Sequence, residues 1–422
     1  MKIAIFEPKF LTPTPHAASY LVNVQEQVRT FAKLGHQVLV LTEADQASAT
    51  EESNLTLCPL KGIFSFLSPL FSADKRYIHT YSALFSPDLS LRAARVLKKM
   101  PVDVIYSCGT SFMGVIPALI GRMTGLPTVH YVFQYAGPWK WWRSYIDTFQ
   151  GFKVPWKYTI MEAVRNSLYQ PFRREFIHRW GLRNITQVIA SSCHVKESLT
   201  KYELKGEHIP VIYPGVDIPG TINTENPKTP LVTYMGHLWQ GRGVLDLLKA
   251  FAMVAEHYPE AKLVIASTNV NELTERYFES LVDEYGLGPR IVRRGIVEDP
   301  GREILDPASV VVLPYRDMPS IKLLEAMGRG KTVVTTNIGW ADEIITDSVN
   351  GFLVEPGDVG SLATKIEKVL SDRELAIEAG RKAKESVEEK CNRDSNTRAT
   401  LGILQQAAER AQGVSTGNLY GS

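Results

Sequence analysis

The chain has 422 residues, of which 44% are hydrophobic and 22% are charged, values that are ordinary for globular proteins and argue against a disordered chain. This length exceeds a single ordinary core, so we expect two domains. Lys and Arg (47) nearly balance Asp and Glu (45), which argues against a nucleic-acid partner because such a partner calls for a broad positive field.

Cysteine use and the apolar runs indicate the compartment. The four cysteines are far apart and form no CxxC pair, so neither a zinc site nor a disulfide framework is predicted. The first apolar run, KIAIF, is too short for the core of a signal peptide, and no run of about 20 uncharged apolar residues follows it. We therefore expect a cytoplasmic protein with no membrane span and no metal site.

In the first half of the chain, short apolar runs alternate with segments of helical period. This pattern is typical of parallel sheets covered by helices on both faces. A helix is predicted over Tyr20–Leu34, and Gly35 suits its C-terminus. Six strands are predicted: Lys2–Phe6, Gln37–Thr42, Leu55–Leu60, Val102–Ser107, Thr128–Phe133 and Gln187–Ser191.

The polar, proline-containing segment TINTENPKTP has the character of a linker. After it the alternation restarts, with a helix from Val244 whose apolar residues share one stripe, and residues 359–412 are almost wholly helical in pattern. The predicted strands of this half are Leu231–Met235, Lys262–Ala266, Ile291–Arg293, Val310–Pro314 and Thr332–Thr336.

The sequence therefore predicts an α/β fold with two Rossmann-like doubly wound domains facing a cleft. Ligands of such sheets bind beyond the C-terminal ends of the strands, so we expect the site in that cleft. The predicted divisions are an N-terminal acceptor domain over 1–215, a donor domain over 226–395, a C-terminal helix over 396–412 that packs back on the first domain, and a disordered tail over 413–422.

The segment GPWKWWRSYIDTFQGFKVPWKY departs from this regularity. Its mixture of aromatic and basic residues suits a wall on which a sugar stacks, or contact with a membrane interface. A packed, aromatic-rich loop explains the same composition. Trp139, Trp141 and Trp142 are therefore candidates for an acceptor region, and a peripheral position at the inner face of the membrane stays open.

The most informative segment is SVVVLPYRDMPSIKLLEAMGRGKTVVTTNIGWADEIITDSVNGFLVEPGD, residues 309–358. A buried strand ends at Pro314, and a helix begins near Ser320, which is a good N-cap residue. Such a helix start offers N–H groups and a positive dipole to a phosphate. Glu325 falls within this helix, where its carboxylate could accept hydrogen bonds from ribose hydroxyls.

Asp317 and Glu325 are separated by seven residues, and LLEAMGRGKTVVTTNIGWADEI continues the pattern. The segment resembles the donor-binding signature of the retaining GT-B glycosyltransferases of family four. VIYPGVD (211–217) and MGHLWQGRG (235–243) resemble two further motifs of that family, and the resemblance extends over nearly the whole chain. It implies transfer of a hexose or N-acetylhexosamine from a nucleotide-diphosphate sugar to an acceptor hydroxyl with retention. The nucleotide sugar is then a co-substrate, and no cofactor or metal is implied.

The resemblance also implies roles for single residues. Glu325 matches the residue that binds the ribose, and Arg242 matches the cation that clamps the diphosphate, a task for which a guanidinium fork is suited. Asp317 matches the first acidic residue and is the catalytic candidate. The other candidates on the donor side are Gly236, His237, Ser320, Ile321 and Lys322. Each charged residue also has an ordinary interpretation as a solvated, turn or capping residue.

Several positions depart from the family pattern. Asp317 is one methylene shorter than the usual Glu, and His237 replaces a permanent cation. His16, with two alanines, stands where a glycine pair is usual. The family's active-site histidine falls on Phe133, and His130 lies nearby but points differently because side chains alternate along a strand. His16, His130 and Phe133 complete the candidates for the acceptor region.

These departures motivate an alternative function, a non-catalytic protein that binds a nucleotide sugar and assists another glycosyltransferase. A sugar-nucleotide 2-epimerase is a third hypothesis, which the Asp317/Glu325 pattern disfavours. The acceptor itself is left open between a saccharide, a lipid-linked molecule and an aromatic small molecule.

Overall fold

In the computed structural model the chain forms two compact units, each built on its own six-stranded parallel sheet. The first unit contains described residues within Met1–Ala136, Thr159–Pro214 and Asp394–Ser422, and the second contains those within Gly215–Arg393. The structure describes residues 1–7, 19–42, 53–60, 87–110, 115–134, 179–201, 204, 208–221, 229–267, 272–295 and 297–413.

The sheet of the first unit has the strand order β3-β2-β1-β4-β5-β6. Its strands are β1 (Lys2–Phe6), β2 (Gln37–Thr42), β3 (Leu55–Pro59), β4 (Val104–Thr110), β5 (Thr128–Gln134) and β6 (Gln187–Ala190). The helices described between them are α1 (Ser19–Lys33), α2 (Pro87–Leu97), α3 (Val115–Thr124), α4 (Arg179–Arg183) and α5 (Cys193–Thr200).

The sheet of the second unit has the order β12-β11-β10-β7-β8-β9. Its strands are β7 (Leu231–Met235), β8 (Lys262–Ala266), β9 (Ile291–Arg294), β10 (Val310–Leu313), β11 (Val333–Thr336) and β12 (Phe352–Val354). Its helices are α6 (Val244–His257), α7 (Glu272–Glu284), α8 (Ile321–Gly328), α9 (Ala341–Ile344), α10 (Val359–Ser371) and α11 (Arg373–Lys390).

The last helix, α12 (Arg393–Ala411), belongs to the first unit from Asp394 onward. It contributes Leu401, Leu404 and its two buried alanines to the hydrophobic cluster that surrounds Ile3 on β1. Burial of such apolar side chains stabilises the fold by roughly 25 cal/mol per Å² removed from water. Helix α12 therefore packs against the hydrophobic core of the first unit.

Both sheets have the strand order of Rossmann-like doubly wound folds, in which the order reverses between the first and fourth strands. The predicted fold class is therefore confirmed for each unit. The cleft between the units stays a prediction. Within the ranges given above, no helix is both long enough and apolar enough to cross a bilayer.

The strand predictions hold apart from one omission and small shifts at the ends. The sequence missed β12, an edge strand of three residues that pairs in parallel with β11. Strand β4 lies at Val104–Thr110 instead of Val102–Ser107. The predicted apolar stripe of α6 is observed, since Val244, Leu247, Leu248 and Phe251 have no exposed surface.

Candidate functional site

Most residues predicted to bind a donor lie on two loops of the second unit. One follows β7 and contains His237 and Arg242, and the other follows β10 and contains Asp317 and Ser320. Strands β7 and β10 are neighbours, and the strand order reverses between them. Doubly wound sheets bind ligands at this point of reversal, beyond the C-terminal ends of the strands.

Arg242 ends a single 3-10 turn, Gln240–Arg242, just before α6. Its Nη1 donates a hydrogen bond of 2.8 Å to the carbonyl oxygen of Met318 and lies 3.6 Å from Oδ1 of Asp317. Its Cζ is 5.5 Å from the ring centroid of Tyr315, in a cation–π arrangement. The guanidinium is thereby oriented by groups that belong to the neighbouring loop.

Asp317 is largely buried beside this guanidinium, with 12% of its side chain exposed. Its Oδ1 accepts a hydrogen bond of 2.6 Å from the backbone N–H of Met318. Burial raises the pKa of Asp317 above its ordinary value, although Arg242 and the Met318 N–H act in the opposite direction. The pKa of this carboxyl should therefore change when a further charge is brought close to it.

Two glycines let the loop around Arg242 approach the loop after β10. Gly243 has φ +69°, and a Cβ built on it would lie 1.6 Å from the carbonyl oxygen of Pro314. A Cβ on Gly241 would lie 2.9 Å from Oδ2 of Asp317. A side chain at either position would push the two loops apart, so the glycines are required by this close contact.

His237 lies on the same loop, and its carbonyl oxygen accepts a hydrogen bond of 2.7 Å from the Tyr234 hydroxyl. Its buried Nδ1 has no hydrogen-bond partner among the residues that the structure describes. Burial above all, and then Arg242 and Lys322, lowers the pKa of His237 to about 4. The imidazole is neutral at neutral pH and adds no cation to the site.

Gly236 connects β7 to this loop. Its N–H donates a hydrogen bond of 3.0 Å to the carbonyl oxygen of Ala266, and a Cβ built on it would lie 3.0 Å from the hydroxyl of Tyr234. The tight space next to Tyr234 explains a small residue at this position.

Helix α8 begins beside Arg242, and Ser320 caps it. The Ser320 Oγ accepts a hydrogen bond of 3.3 Å from the N–H of Lys322 and lies 2.8 Å from the hydroxyl of Tyr315. Burial raises the pKa of Tyr315 to about 12, so its hydroxyl keeps its proton. Ile321 is only 3% exposed, so its contribution to a site would come from its backbone.

Glu325 forms an ion pair within the first turns of α8. Nζ of Lys322 lies 2.7 Å and 3.1 Å from its two carboxylate oxygens, and both side chains are partly exposed. The carboxylate predicted to bind a ribose is therefore engaged by Lys322 in the structure. A ribose hydroxyl would have to share or replace that contact.

Sequence reasoning missed Arg316, which forms a two-point ion pair with Asp246 of α6. Its Nε lies 2.5 Å from Oδ2 of Asp246, and its Nη2 lies 2.7 Å from Oδ1. Arg316 immediately precedes Asp317 in the motif, which is the only signal that the sequence offers. The direction in which its side chain turns depends on the packing of α6 against this loop.

Among the residues proposed for the acceptor region, the structure describes His130 and Phe133. The side chain of His130 is fully buried, and its Nδ1 lies 2.8 Å from Oγ of Ser107, so the ring belongs to the core of the first unit and not to an open acceptor surface. Phe133 packs partly buried against the same unit's core. His16, Trp139, Trp141 and Trp142 lie outside the described residues.

Among the described side chains, no group of three or more His, Cys, Asp or Glu residues could hold a metal ion.

Comparison with known families assigns the chain. The family described as "Glycosyl transferases group 1" matches residues 229–372, and "Glycosyltransferase Family 4" matches residues 22–218. The chain belongs to the group 1 glycosyltransferases of the family-four type. The resemblance carried by the Asp317/Glu325 motif is thereby confirmed.

Curated relatives match parts of the chain. The "Uncharacterized glycosyltransferase MJ1607" of Methanocaldococcus jannaschii is 32% identical over 181 residues, which is 42% of this chain and 45% of that protein. The "Capsular polysaccharide biosynthesis glycosyltransferase CapM" of Staphylococcus aureus is 29% identical, over 38% of this chain and 42% of its own. The trehalose synthase of Thermococcus litoralis is 25% identical, over 56% and 60%. The chain thus spans about half the length of these relatives.

Solved structures match over almost the whole chain. Anabaena Alr3699/HepE, in complex with UDP and glucose, has a TM-score of 0.67 at 18% identity, covering 96% of this chain and 99% of that one. The sucrose-phosphate synthase of Thermosynechococcus elongatus has a TM-score of 0.72 at 16% identity, covering 96% and 98%. At such identities the likeness shows the fold alone, which is the predicted GT-B architecture of two Rossmann-like domains.

Proposed function

We propose that this glycosyltransferase moves a hexose or an N-acetylhexosamine from a nucleotide-diphosphate sugar to an acceptor hydroxyl and retains the anomeric configuration of the donor. The observation that carries the proposal is the position of Arg242, held beside the N-terminus of α8 at the C-terminal ends of β7 and β10. A guanidinium and a helix N-terminus are together complementary to a diphosphate. That the HepE structure contains UDP and glucose agrees with this choice of donor.

The charges around the site suit a leaving diphosphate. Arg242 and Lys322 supply two cations, each beside a carboxylate, Asp317 or Glu325, with which the donor would compete. The dipole of α8 adds partial positive charge at Ser320. Fixed charges of this kind stabilise the negative charge that develops as the sugar leaves, without reorganisation at the moment of reaction. In this proposal the nucleotide sugar is a co-substrate, and neither a resident cofactor nor a metal ion is required.

The transfer step exchanges one bond at the anomeric carbon. The bond from that carbon to the diphosphate oxygen breaks, and a bond to the acceptor oxygen forms on the same face of the sugar. The acceptor proton passes to an oxygen of the departing diphosphate. We assign Asp317 to contact with the sugar and Glu325 to the ribose, in keeping with their places in the family motif.

For the acceptor we propose a saccharide, free or lipid-linked, or an aromatic small molecule. The name of CapM refers to capsular polysaccharide, which favours a saccharide. Peripheral binding to a membrane is part of the lipid-linked version of the proposal. Co-sedimentation with anionic vesicles at low salt tests it, and absence of binding would count against that version.

Two differences from the family pattern favour the alternative of a protein that binds a nucleotide sugar without turnover. With its pKa lowered to about 4, His237 supplies no charge where the family usually has a permanent cation. Phe133 likewise stands in the place of the family's active-site histidine. Because Arg242 and Glu325 are retained, such a protein would still bind the donor while transfer is weakened.

A two-stage experiment tests the proposal. Thermal unfolding of the purified protein is first measured with UDP-, GDP- and ADP-sugars, since a ligand at a hundred times its Kd stabilises the folded state by about 2.7 kcal/mol. The sugar that stabilises is then offered with simple saccharide acceptors, and NMR of the anomeric proton reports the configuration of the product. Inversion would contradict retention. Binding without transfer or hydrolysis would favour the alternative, and no stabilisation by any donor would contradict both functions.

A further inference from the structure

We infer that Arg316 and Asp246 are positioning residues for the proposed diphosphate site and that they act by holding Arg242 in place. The inference rests on the proposed function, because it concerns how that site is built. Both residues act through the backbone that flanks Arg242.

The Arg316–Asp246 pair is largely buried, with 16% of the Arg316 side chain exposed, and it is fixed in geometry. Asp246 is 5% exposed, and Arg316 presents two N–H groups to its two oxygens at 2.5 Å and 2.7 Å. Removing two charges from water is costly, and an apolar pair of similar volume is often as stable or more so. A contribution to stability therefore does not explain the presence of this ion pair well. A role in orienting the loop does explain it.

The pair fixes the chain on the C-terminal side of Arg242. Asp246 lies in the first turn of α6, four residues after Arg242. A planar guanidinium bound at two points restricts both distance and angle. The start of α6, and with it the end of the Arg242 turn, is therefore tied to the loop after β10.

The same loop fixes the chain on the N-terminal side of Arg242. The N–H groups of Arg316 and Asp317 both donate hydrogen bonds to the carbonyl oxygen of Gly241, at 3.0 Å and 3.2 Å. Arg316 thus reaches residue 241 with its backbone and residue 246 with its side chain. Arg242 lies between these two anchors.

The groups that orient the guanidinium of Arg242 lie on the loop that Arg316 anchors. They are the carbonyl of Met318, the carboxylate of Asp317 and the ring of Tyr315. If the Arg316–Asp246 pair loosens, the two loops shift relative to each other and the cation moves away from these groups. Misplacement of a functional group by about 1 Å can cost about a hundredfold in rate.

The second unit offers a matched control. Nη1 of Arg329 lies 2.9 Å from Oδ1 of Asp306, and their side chains are 21% and 22% exposed. Asp306 precedes β10 and Arg329 follows α8. This pair therefore lies at the N-terminal end of β10, whereas the Arg242 loop lies at the C-terminal ends of the strands. Its loss should affect the fold of the unit without affecting the site.

The experiment measures the Kd of nucleoside diphosphates by titration calorimetry. The probe is whichever of UDP, GDP and ADP stabilises the wild-type protein. Arg316→Lys keeps the charge but loses the planar fork, and Asp246→Asn keeps the shape but loses the charge. We expect each to weaken binding by about tenfold, while Arg329→Lys stays within about twofold of the wild type.

A double variant separates positioning from general destabilisation. If Arg316 acts through Arg242, then Arg316→Lys should cause no further loss of affinity in an Arg242→Ala background, because interacting residues are not additive. Equal losses in both backgrounds would overturn the inference. Wild-type affinity in both Arg316→Lys and Asp246→Asn would also overturn it. Failure of the wild-type protein to bind any of the three nucleotides would instead contradict the proposed function, a distinct result.

Discussion

Replacing His237 with Gln should remove an acid sensitivity from the second unit. In the folded protein the pKa of His237 is about 4, lowered by burial and by two nearby cations, whereas the ordinary value is 6.5. Between these values the unfolded chain binds a proton that the folded chain does not. The free energy of unfolding therefore falls as the pH falls through this window, and it is fully retained above the ordinary pKa.

The magnitude follows from the two pKa values. The complete difference corresponds to roughly 3 kcal/mol, and about 2 kcal/mol of it should already be lost near pH 5. A proton on His237 would place a third positive charge next to Arg242 and Lys322. Its buried Nδ1 has no hydrogen-bond partner within the described part of the chain, so no hydrogen bond at that atom offsets the cost.

Urea unfolding followed by tryptophan fluorescence, at about pH 7.5 and about pH 5, measures the effect. The loss between the two pH values should be smaller in His237→Gln than in the wild type by about 2 kcal/mol. His257→Gln is the control with the opposite sign, because the Glu367 partner raises the pKa of His257 and its contribution is lost as the pH rises. Parallel losses in the wild type and His237→Gln would refute a neutral His237 whose pKa is lowered in the folded protein.

Three further predictions follow from single contacts of the site. Arg242→Ala should reduce, without abolishing, the stabilisation by nucleoside diphosphates in thermal unfolding, because one charged contact to the phosphates is lost while the rest of the site remains; unchanged stabilisation would remove Arg242 from the site. Gly243→Ala should lower the free energy of unfolding by about 3 kcal/mol, because of the positive φ of Gly243 and its contact with Pro314. Gly286, with φ +62° and open space around it, is the control, and Gly286→Ala should cost about 1 kcal/mol. Equal costs in urea unfolding would contradict the close contact. Glu325→Gln should change the free energy of unfolding by less than about 1 kcal/mol, since its pair with Lys322 is partly exposed. It should weaken the binding of a nucleoside diphosphate but not the binding of inorganic pyrophosphate. Equal weakening of both in titration calorimetry would argue against a ribose contact.

The sequence predicted most of the fold because each buried strand of a parallel sheet is a short apolar run. Strands β7 and β8 have the predicted ends, and α1 lies within one residue of its prediction. Strand β12 was missed because it has only three residues and lies at an edge of its sheet. A run that short shows no periodicity, and its pairing with β11 depends on contacts made far along the chain.

The sequence indicated candidate residues for the site but not the partners that the structure gives them. The spacing pointed to Asp317, the resemblance of residues 235–243 to Arg242 and the helix start to Ser320, and all three lie on the neighbouring loops after β7 and β10. It did not reveal that Arg316 turns toward Asp246, which depends on how α6 packs. His130 shows the same limit, since strand alternation indicated that it points differently but not that Ser107 holds it in the core.

The Arg242–Asp317 and Arg316–Asp246 ion pairs differ in how tightly they are bound, and this difference suits ligand exchange. Arg242 and Asp317 are 3.6 Å apart, whereas Arg316 binds Asp246 at two points, both within 2.7 Å. A diphosphate bound at Arg242, as proposed, would compete with Asp317, whose pKa is already raised by burial. A nearby anion would raise that pKa further. The looser pair can therefore give way to the ligand, while the tighter pair keeps the loop in place as it does so.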